Sequence, residues 1–197
     1  MDNMNLMADD MLVSLYSDGN VKAFDILLNR YKDKLYAYIN FIVRNRDISD
    51  DIFQETFVKA IVTLQRGGYS SSGKFGAWLT RIAHNLIIDR FRQERNDNTV
   101  SNDSSEYDLL NDARLFEGGI EDDIVNEQTL KDVRRLVEML PDNQREVVFM
   151  RYYQDLSFKE IADITGVSIN TALGRMRYAL INIRKMAAEK RISLTII

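Results

Sequence analysis

The residues best suited to chemistry lie in the last third of the chain. Behind Ser168, a helical pattern carries Asn170, Thr171, Gly174, Arg175, Tyr178 and Asn182 on one side. An Asn amide can pair with an adenine edge, an Arg with guanine or phosphate, and a Thr with a base or its methyl. Glycine costs a helix interior about 1 kcal/mol against alanine, yet at Gly174 a bare backbone permits close approach to a duplex. Ile169, Leu173, Met176, Leu180 and Ile183 recur at helical steps on another side, which is expected to be the core face.

The segment just ahead supplies the scaffold. In Ser157-Phe158-Lys159-Glu160, the Ser hydroxyl and the Glu carboxylate can satisfy free amides at a helix start. In Thr165-Gly166-Val167, Gly166 suits a left-handed helix terminus. A short capped helix, a tight turn and a longer capped helix form the pattern of a helix-turn-helix. A plain helical hairpin with a solvated polar face is the other reading. The paired caps and unequal helix lengths favour the first.

Covalent chemistry has little to stand on. The chain has no Cys and a single His, His84, so disulfides, thiolate metal sites and His-rich clusters are ruled out. No paired catalytic carboxylates, P-loop or nucleophile motif is found. Binding without a cofactor or metal is expected, and no enzymatic activity.

Composition fits that picture. Of 197 residues, 45% are hydrophobic and 28% charged, ordinary for a soluble globular protein. The net charge of −4 hides an uneven distribution. Residues 1–19 hold four acids and no base; residues 20–96 hold 13 bases against 8 acids. Residues 97–130 hold 10 acids and one base, and residues 131–197 hold 12 bases against 8 acids. Two basic blocks flank an acidic one, and such asymmetry points to nucleic acid, because phosphate attraction acts locally. No apolar run approaches the ~18 residues of a membrane span. The Met1 to Asp10 segment lacks the Lys or Arg that opens a secretory signal, so a cytoplasmic location is expected.

The remaining pattern is helical. Val21, Phe24, Leu27, Leu28, Tyr31 and Leu35 form one stripe, continued by Tyr38, Ile39, Ile42 and Val43. Asn45-Arg46-Asp47 breaks it, and Asp47 or Ser49 is expected to cap a helix burying Ile52, Phe53, Thr56, Phe57, Ala60, Ile61 and Leu64. Gly67-Gly68 ends that helix, and a Ser/Gly loop from Tyr69 to Gly73 follows. Phe75, Trp78, Leu79, Ile82, Leu86 and Phe91 then recur at helical spacing to about Arg95. Periodicity stops at Asn96, which reads as linker, with Leu109 to Phe116 a short helix or docking segment. A second domain begins near Glu121 with Ile124, Leu130, Val133, Leu136, Val137 and Leu140, and Pro141 opens a helix with Val147, Val148 and Met150 inside. The fold expected is all-α: two small helical domains, 1–95 and 121–197, joined by an acidic flexible linker, 96–120.

Taken together, four segments resemble the extracytoplasmic-function (ECF) class of sigma factors, over roughly residues 10–95 and 130–190. They are Asp51 to Phe57, Phe75 to Leu79 with Ile82 to Arg90, Leu140-Pro141 with Arg145, and Leu156 to Ala162 with Gly166-Val167-Ser168. The resemblance implies a promoter-reading subunit of RNA polymerase. It implies that Asp51, Gln54 and Glu55 meet the clamp helices of the largest polymerase subunit, a short acid and amide row suited to Arg on a partner. A solvated helix face is the plainer role for each. The flap is the second implied contact on core polymerase.

The same resemblance places Tyr69 in a loop that receives an unstacked minus-ten base, and Asn85 at a base-contacting position. Arg81, Arg90 and Arg92 could hold the strand backbone. Trp78 reads as a core residue, and His84 as incidental. Ser168, Asn170, Thr171, Gly174, Arg175, Arg177 and Tyr178 would face the minus-thirty-five duplex. Much of the family carries Lys or Arg followed by Ser where this chain has Leu173-Gly174, so the usual upstream contacts do not transfer directly. The acidic linker is implied to thread toward the active cleft, where acids can occupy walls built for nucleic acid; a solubilising spacer is the alternative. An anti-sigma protein is a partner of the kind the family takes. The competing readings are a helix-turn-helix regulator acting alone on duplex DNA and an adaptor binding only protein. The first gives no reason for the Asp51–Glu55 row or the Tyr69 loop, and the second predicts no salt-sensitive affinity for DNA.

Overall fold

The computed structural model describes residues 4–70, 73–98, 126–190 and 192, with side chains at 95–98 and 126–130 excepted. Most of the expected linker, the Leu109–Phe116 segment, Ile124, the Leu130 side chain and Ser71-Ser72 therefore lie outside the described residues. The protein is all-helical among those residues, with eight α-helices and one short 3-10 turn, Met4–Leu6. It divides into two compact units, Met1–Asp103 and Ser104–Ile197.

The first unit holds α1 (Asp9–Ser17), α2 (Val21–Val43), α3 (Arg46–Gln65) and α4 (Phe75–Asn98). Helix α2 buries Ala23, Phe24, Leu27, Leu35, Tyr38, Ile39 and Ile42 in one stripe. Val21 was expected in that stripe but is exposed, at the first residue of the helix. Helix α3 turns Ile52, Thr56, Phe57, Ala60 and Leu64 inward, and α4 answers with Phe75, Leu79, Ala83, Leu86 and Ile87. Each large side chain fully buried here contributes roughly 1.5–3 kcal/mol. The buried Thr56 hydroxyl donates to the Ile52 carbonyl at 2.7 Å, so it is not stranded in that core.

The start of α3 differs from expectation. Neither Asp47 nor Ser49 caps it: the Asn45 side chain accepts from the Ile48 N–H at 3.1 Å. The helix begins earlier, so Ser49 is already inside it, buried, with its hydroxyl donating to the Asn45 carbonyl at 2.6 Å.

Helix α1 is tied to α2 by a carboxylate. Asp9 pairs with Arg30 at 2.6 Å and accepts the Tyr31 hydroxyl on its other oxygen. Arg30 also donates to the carbonyls of Asn5 and Met7, at 2.6 and 2.7 Å. The Tyr31 ring tilts against Phe75, with centroids 5.4 Å apart. Gly76 leaves room for it: a Cβ there would stand 2.7 Å from a Tyr31 ring carbon.

The second unit holds α5 (Asn126–Glu138), α6 (Asp142–Tyr152), α7 (Phe158–Thr165) and α8 (Ile169–Glu189). Helix α6 packs on α5, α7 and α8 and buries Val147, Val148, Phe149 and Met150 in succession. It starts behind Pro141, whose fixed φ suits a helix entry. Its first turns bury three charged residues, Asp142, Arg145 and Glu146. Arg145 pairs with Asp142 and donates to the Glu138 carbonyl at 3.3 Å, the pairing that a buried charge requires. Helix α7 has the full capping box: Glu160 N–H donates to Ser157 Oγ and the Ser157 N–H to the Glu160 carboxylate. Gly166 closes α7 at φ 67°.

Helix α8 buries a different stripe from the one expected. Ala172, Met176, Ala179 and Ala187 face inward, with Ile183 half-buried, while Leu173 and Leu180 are 43% and 38% exposed. Packing distance explains the rotation. Helices α6 and α7 both lie against α8, and alanines let the backbones approach closely. Ile169 is exposed too, at the first residue of the helix. Asn182 belongs to the α6 contact, donating to the Gln144 side chain at 2.8 Å.

Two outcomes follow for the first unit. Gly76→Ala pushes a methyl into a ring held by Asp9 and Phe75, so thermal unfolding of the full chain should show about 1–3 kcal/mol of destabilisation. Alkaline stability should depend on Tyr31, whose burial and hydrogen bond to Asp9 raise its pKa well above the ordinary 10.0. Below pH 10 its contribution is complete; above it only the unfolded chain releases the proton, so stability falls as pH rises. Urea titrations between pH 9 and 11 should show a flatter decline in Tyr31→Phe than in wild type.

Candidate nucleic-acid interface

The outward side of α8 follows from its inward one. At 3.6 residues per turn, burying Ala172, Met176 and Ala179 turns Asn170, Leu173, Gly174, Arg177, Tyr178 and Ile181 outward. Asn170, Arg177 and Tyr178 are exposed along this face, and Thr171 is exposed at its edge. Arg175 is half-buried on the flank toward the unit body. Ser168 is committed to the cap, accepting the Thr171 N–H at 3.0 Å and sharing a hydroxyl bond with Thr171 at 2.9 Å. A Cβ at Gly174 would meet nothing within 4 Å, so packing inside the chain does not call for glycine there. Leu173 joins the face although it was expected in the core, and Ile181 joins it as well. The stripe of Ala172, Met176 and Ala179, with Ala187 further on, was the signal that could have shown it.

Helix α3 has its own outward face. Asp51, Gln54 and Glu55 are all exposed on it. Val58 and Val62, 58% and 37% exposed, extend the same side by further turns. Glu55 pairs with Lys59 at 3.2 Å, a surface contact worth little. Sequence reading missed the two valines, which sit at helical steps from Asp51. A row of acid and amide groups continued by bare valines has the make-up of a protein contact: an apolar centre with a polar rim.

Between α3 and α4 lies an aromatic corner. The Tyr69 ring meets Trp78 edge-on at 4.9 Å and Phe75 at 5.7 Å, and Phe75 and Trp78 lie 5.4 Å apart. Trp78 is thus half-buried, one side in the corner and one toward solvent. The Tyr69 hydroxyl donates to Asp10 at 3.1 Å, and the Gly73 N–H donates to the other Asp10 oxygen at 2.8 Å. Burial and Asp10 push the Tyr69 phenol up to about 12, so it keeps its proton at neutral pH. Asp10 was missed in the sequence, where it was one acid in an acidic N-terminus.

Helix α4 brings Arg81, Asn85 and Arg92 to one exposed side, on the same turn positions as Trp78. Arg90 points away from them and pairs with Glu94 at 3.0 Å. Arg92 lies 3.9 Å from Asp89, both exposed. His84 turns inward, its Nδ1 3.2 Å from the Tyr38 hydroxyl. No cluster of His, Cys, Asp or Glu fit to hold a metal occurs among the described residues. The corner offers aromatic walls, an amide and cations along one helix side, which is what an unstacked base and its backbone need. None of the described helices is long and apolar enough to cross a membrane.

Residues 27–96 match the sigma-70 region 2 family and residues 130–177 match sigma-70 region 4. The first match contains the α3 face, the aromatic corner and the α4 side; the second contains α7, the turn and α8 as far as Arg177. The chain is 29% identical to the ECF RNA polymerase sigma factor SigW of Bacillus subtilis over 174 residues, 87% of this chain and 92% of that one. It is 28% identical to the ECF RNA polymerase sigma-E factor of Escherichia coli over 181 residues, covering 86% and 89% of the two. Among solved structures, RpoE of Bartonella quintana has the same fold, with a TM-score of 0.64 at 20% identity over 85% of this chain and 98% of that one. CnrH, solved with the cytosolic domain of CnrY, has a TM-score of 0.63 at 23% identity over 93% and 99%. The chain belongs to the sigma-70 family of RNA polymerase sigma factors, in its extracytoplasmic-function class.

Proposed function

We propose that this sigma factor divides promoter recognition among three surfaces. The α3 face of Asp51, Gln54, Glu55, Val58 and Val62 docks on the clamp helices of core RNA polymerase. The α8 face of Asn170, Thr171, Gly174, Arg177 and Tyr178 reads the minus-thirty-five duplex, with Ser168 capping the helix and Arg175 flanking it. The corner of Tyr69 and Trp78, with Asn85, Arg81 and Arg92, takes an unstacked minus-ten base and its strand; Arg90, on the other side of α4, serves backbone phosphate apart from them. The observation that carries this reading is that the exposed α3, α4 and α8 groups lie opposite the buried stripes of their helices, with Tyr69 in the loop beside Trp78.

The chemistry divides accordingly. The protein supplies selection and strand opening, and the polymerase supplies catalysis, so the chain has no enzymatic activity of its own and acts in the cytoplasm. Duplex and melted strand are read in different units, roughly 1–95 and 121–197, with the acidic 96–120 segment as linker. Tethering raises the effective concentration of the second contact, so each unit can be individually weak. The Bartonella quintana relative was solved with the anti-sigma factor NepR, and a partner of that class fits this chain too.

The surfaces separate in a binding experiment. Gln54→Ala/Glu55→Ala and Val58→Glu should weaken binding to core polymerase and leave affinity for an upstream promoter duplex unchanged. Asn85→Ala should bind core normally and lose about 1–3 kcal/mol in opened-complex stability. Arg177→Ala should weaken duplex binding and reduce its salt dependence. Unchanged core affinity in both α3 variants would remove the docking assignment, and normal opening with Asn85→Ala would remove the base assignment.

A further inference from the structure

The mechanism above uses the Tyr69 corner as a receptor for a base but leaves open what holds the corner in shape. Gly67 and Gly73 border the loop, both at φ 67°, a left-handed conformation that glycine adopts without strain. The Tyr69 hydroxyl gives its proton to Asp10 at 3.1 Å. The other Asp10 oxygen takes the Gly73 N–H at 2.8 Å. One carboxylate thus holds both ends of the loop, with charge-assisted bonds roughly twice as strong as neutral ones. Its own position is set by its neighbour Asp9, which is bound to Arg30 and Tyr31 on α2.

Resting on the base-capture reading, we propose that Asp10 is a positioning residue for strand opening: by holding the Tyr69 hydroxyl and the Gly73 N–H, it keeps the corner shaped for an unstacked base before DNA arrives. Extruding a base already costs a few kcal/mol. A receptor that had to order itself at the same moment would add its own entropy to that barrier. The Tyr69 ring is therefore a fixed wall braced by Trp78 and Phe75, and Asp10 touches the wall and not the DNA. Both Asp10 oxygens are engaged by donors, which also fits a carboxylate placed near phosphate, where an unengaged one would repel the strand.

The test uses the full chain with core polymerase and a promoter duplex carrying 2-aminopurine in its minus-ten element. Asp10→Ala, Tyr69→Phe and the double variant are compared with wild type and with Asn85→Ala. Each single variant should slow the rise in 2-aminopurine fluorescence about tenfold, the size of one lost hydrogen bond in a barrier. The double variant should be no slower than the slower single. Core binding and minus-thirty-five duplex binding should stay at wild-type levels, which a general loss of folding would not allow. If Asp10→Ala does not fold, Tyr69→Phe carries the test, because it keeps both the ring and the carboxylate. Wild-type unstacking in either single variant, or additive effects in the double, overturns the Asp10 role while a slow Asn85→Ala leaves base capture standing. Wild-type unstacking in Asn85→Ala sinks base capture and the Asp10 role with it.

Discussion

A helix in a small bundle has one inward side, and whatever that side buries decides what the other side can offer. This constraint runs through all three surfaces of the protein. Ile52, Thr56 and Ala60 packed inward leave Asp51, Gln54, Glu55, Val58 and Val62 outward on α3. Leu79, Ala83 and Leu86 inward leave Arg81 and Asn85 outward on α4. Ala172, Met176 and Ala179 inward leave Asn170, Gly174 and Arg177 outward on α8. The partner surfaces therefore inherit their spacing from the core, and a core residue changed in size would rotate or shift the face behind it.

The cost of an error in reading that constraint shows on α8. Large hydrophobic side chains mark the core only when helices pack at ordinary separation. Where alanines line the contact, the helices approach closely and bulky residues are displaced outward, as Leu173 and Leu180 are. Hydrophobic steps of three and four were present in two registers, one of leucines and one of alanines, and hydrophobicity alone weighted the wrong one. On α2, α3 and α4 one register was strongly apolar and most of the core was legible, although Val21, Val58 and Val62 are exposed and buried Ala83 and Ile87 were not anticipated.

Capping was legible where it is local and illegible where two residues compete. The Ser157–Glu160 box and the Gly166 terminus involve neighbours in sequence, so their chemistry identifies them. At α3, Asn45, Asp47 and Ser49 are all able to cap, and the choice of Asn45 depends on the α2–α3 turn, where Arg44 takes a left-handed conformation. The Asp10 bond to Tyr69 and Gly73 was not legible at all, because it joins residues about sixty apart, brought together only by packing of α1 on α2. Asn85 and Arg81 were placed by family resemblance, and the structure adds that they share a helix side with Trp78 while Arg90 does not.

The central claim is that these surfaces act together as one initiation factor and not as an independent DNA-binding module. Transcription in vitro from a pooled promoter library, with and without purified core polymerase of the source organism, tests it most directly. The account predicts initiation from a restricted set of promoters sharing upstream and minus-ten elements, dependent on both the protein and core polymerase. Folded protein free of any inhibitor that binds a duplex tightly by itself, yet neither binds core nor starts transcription, would contradict it.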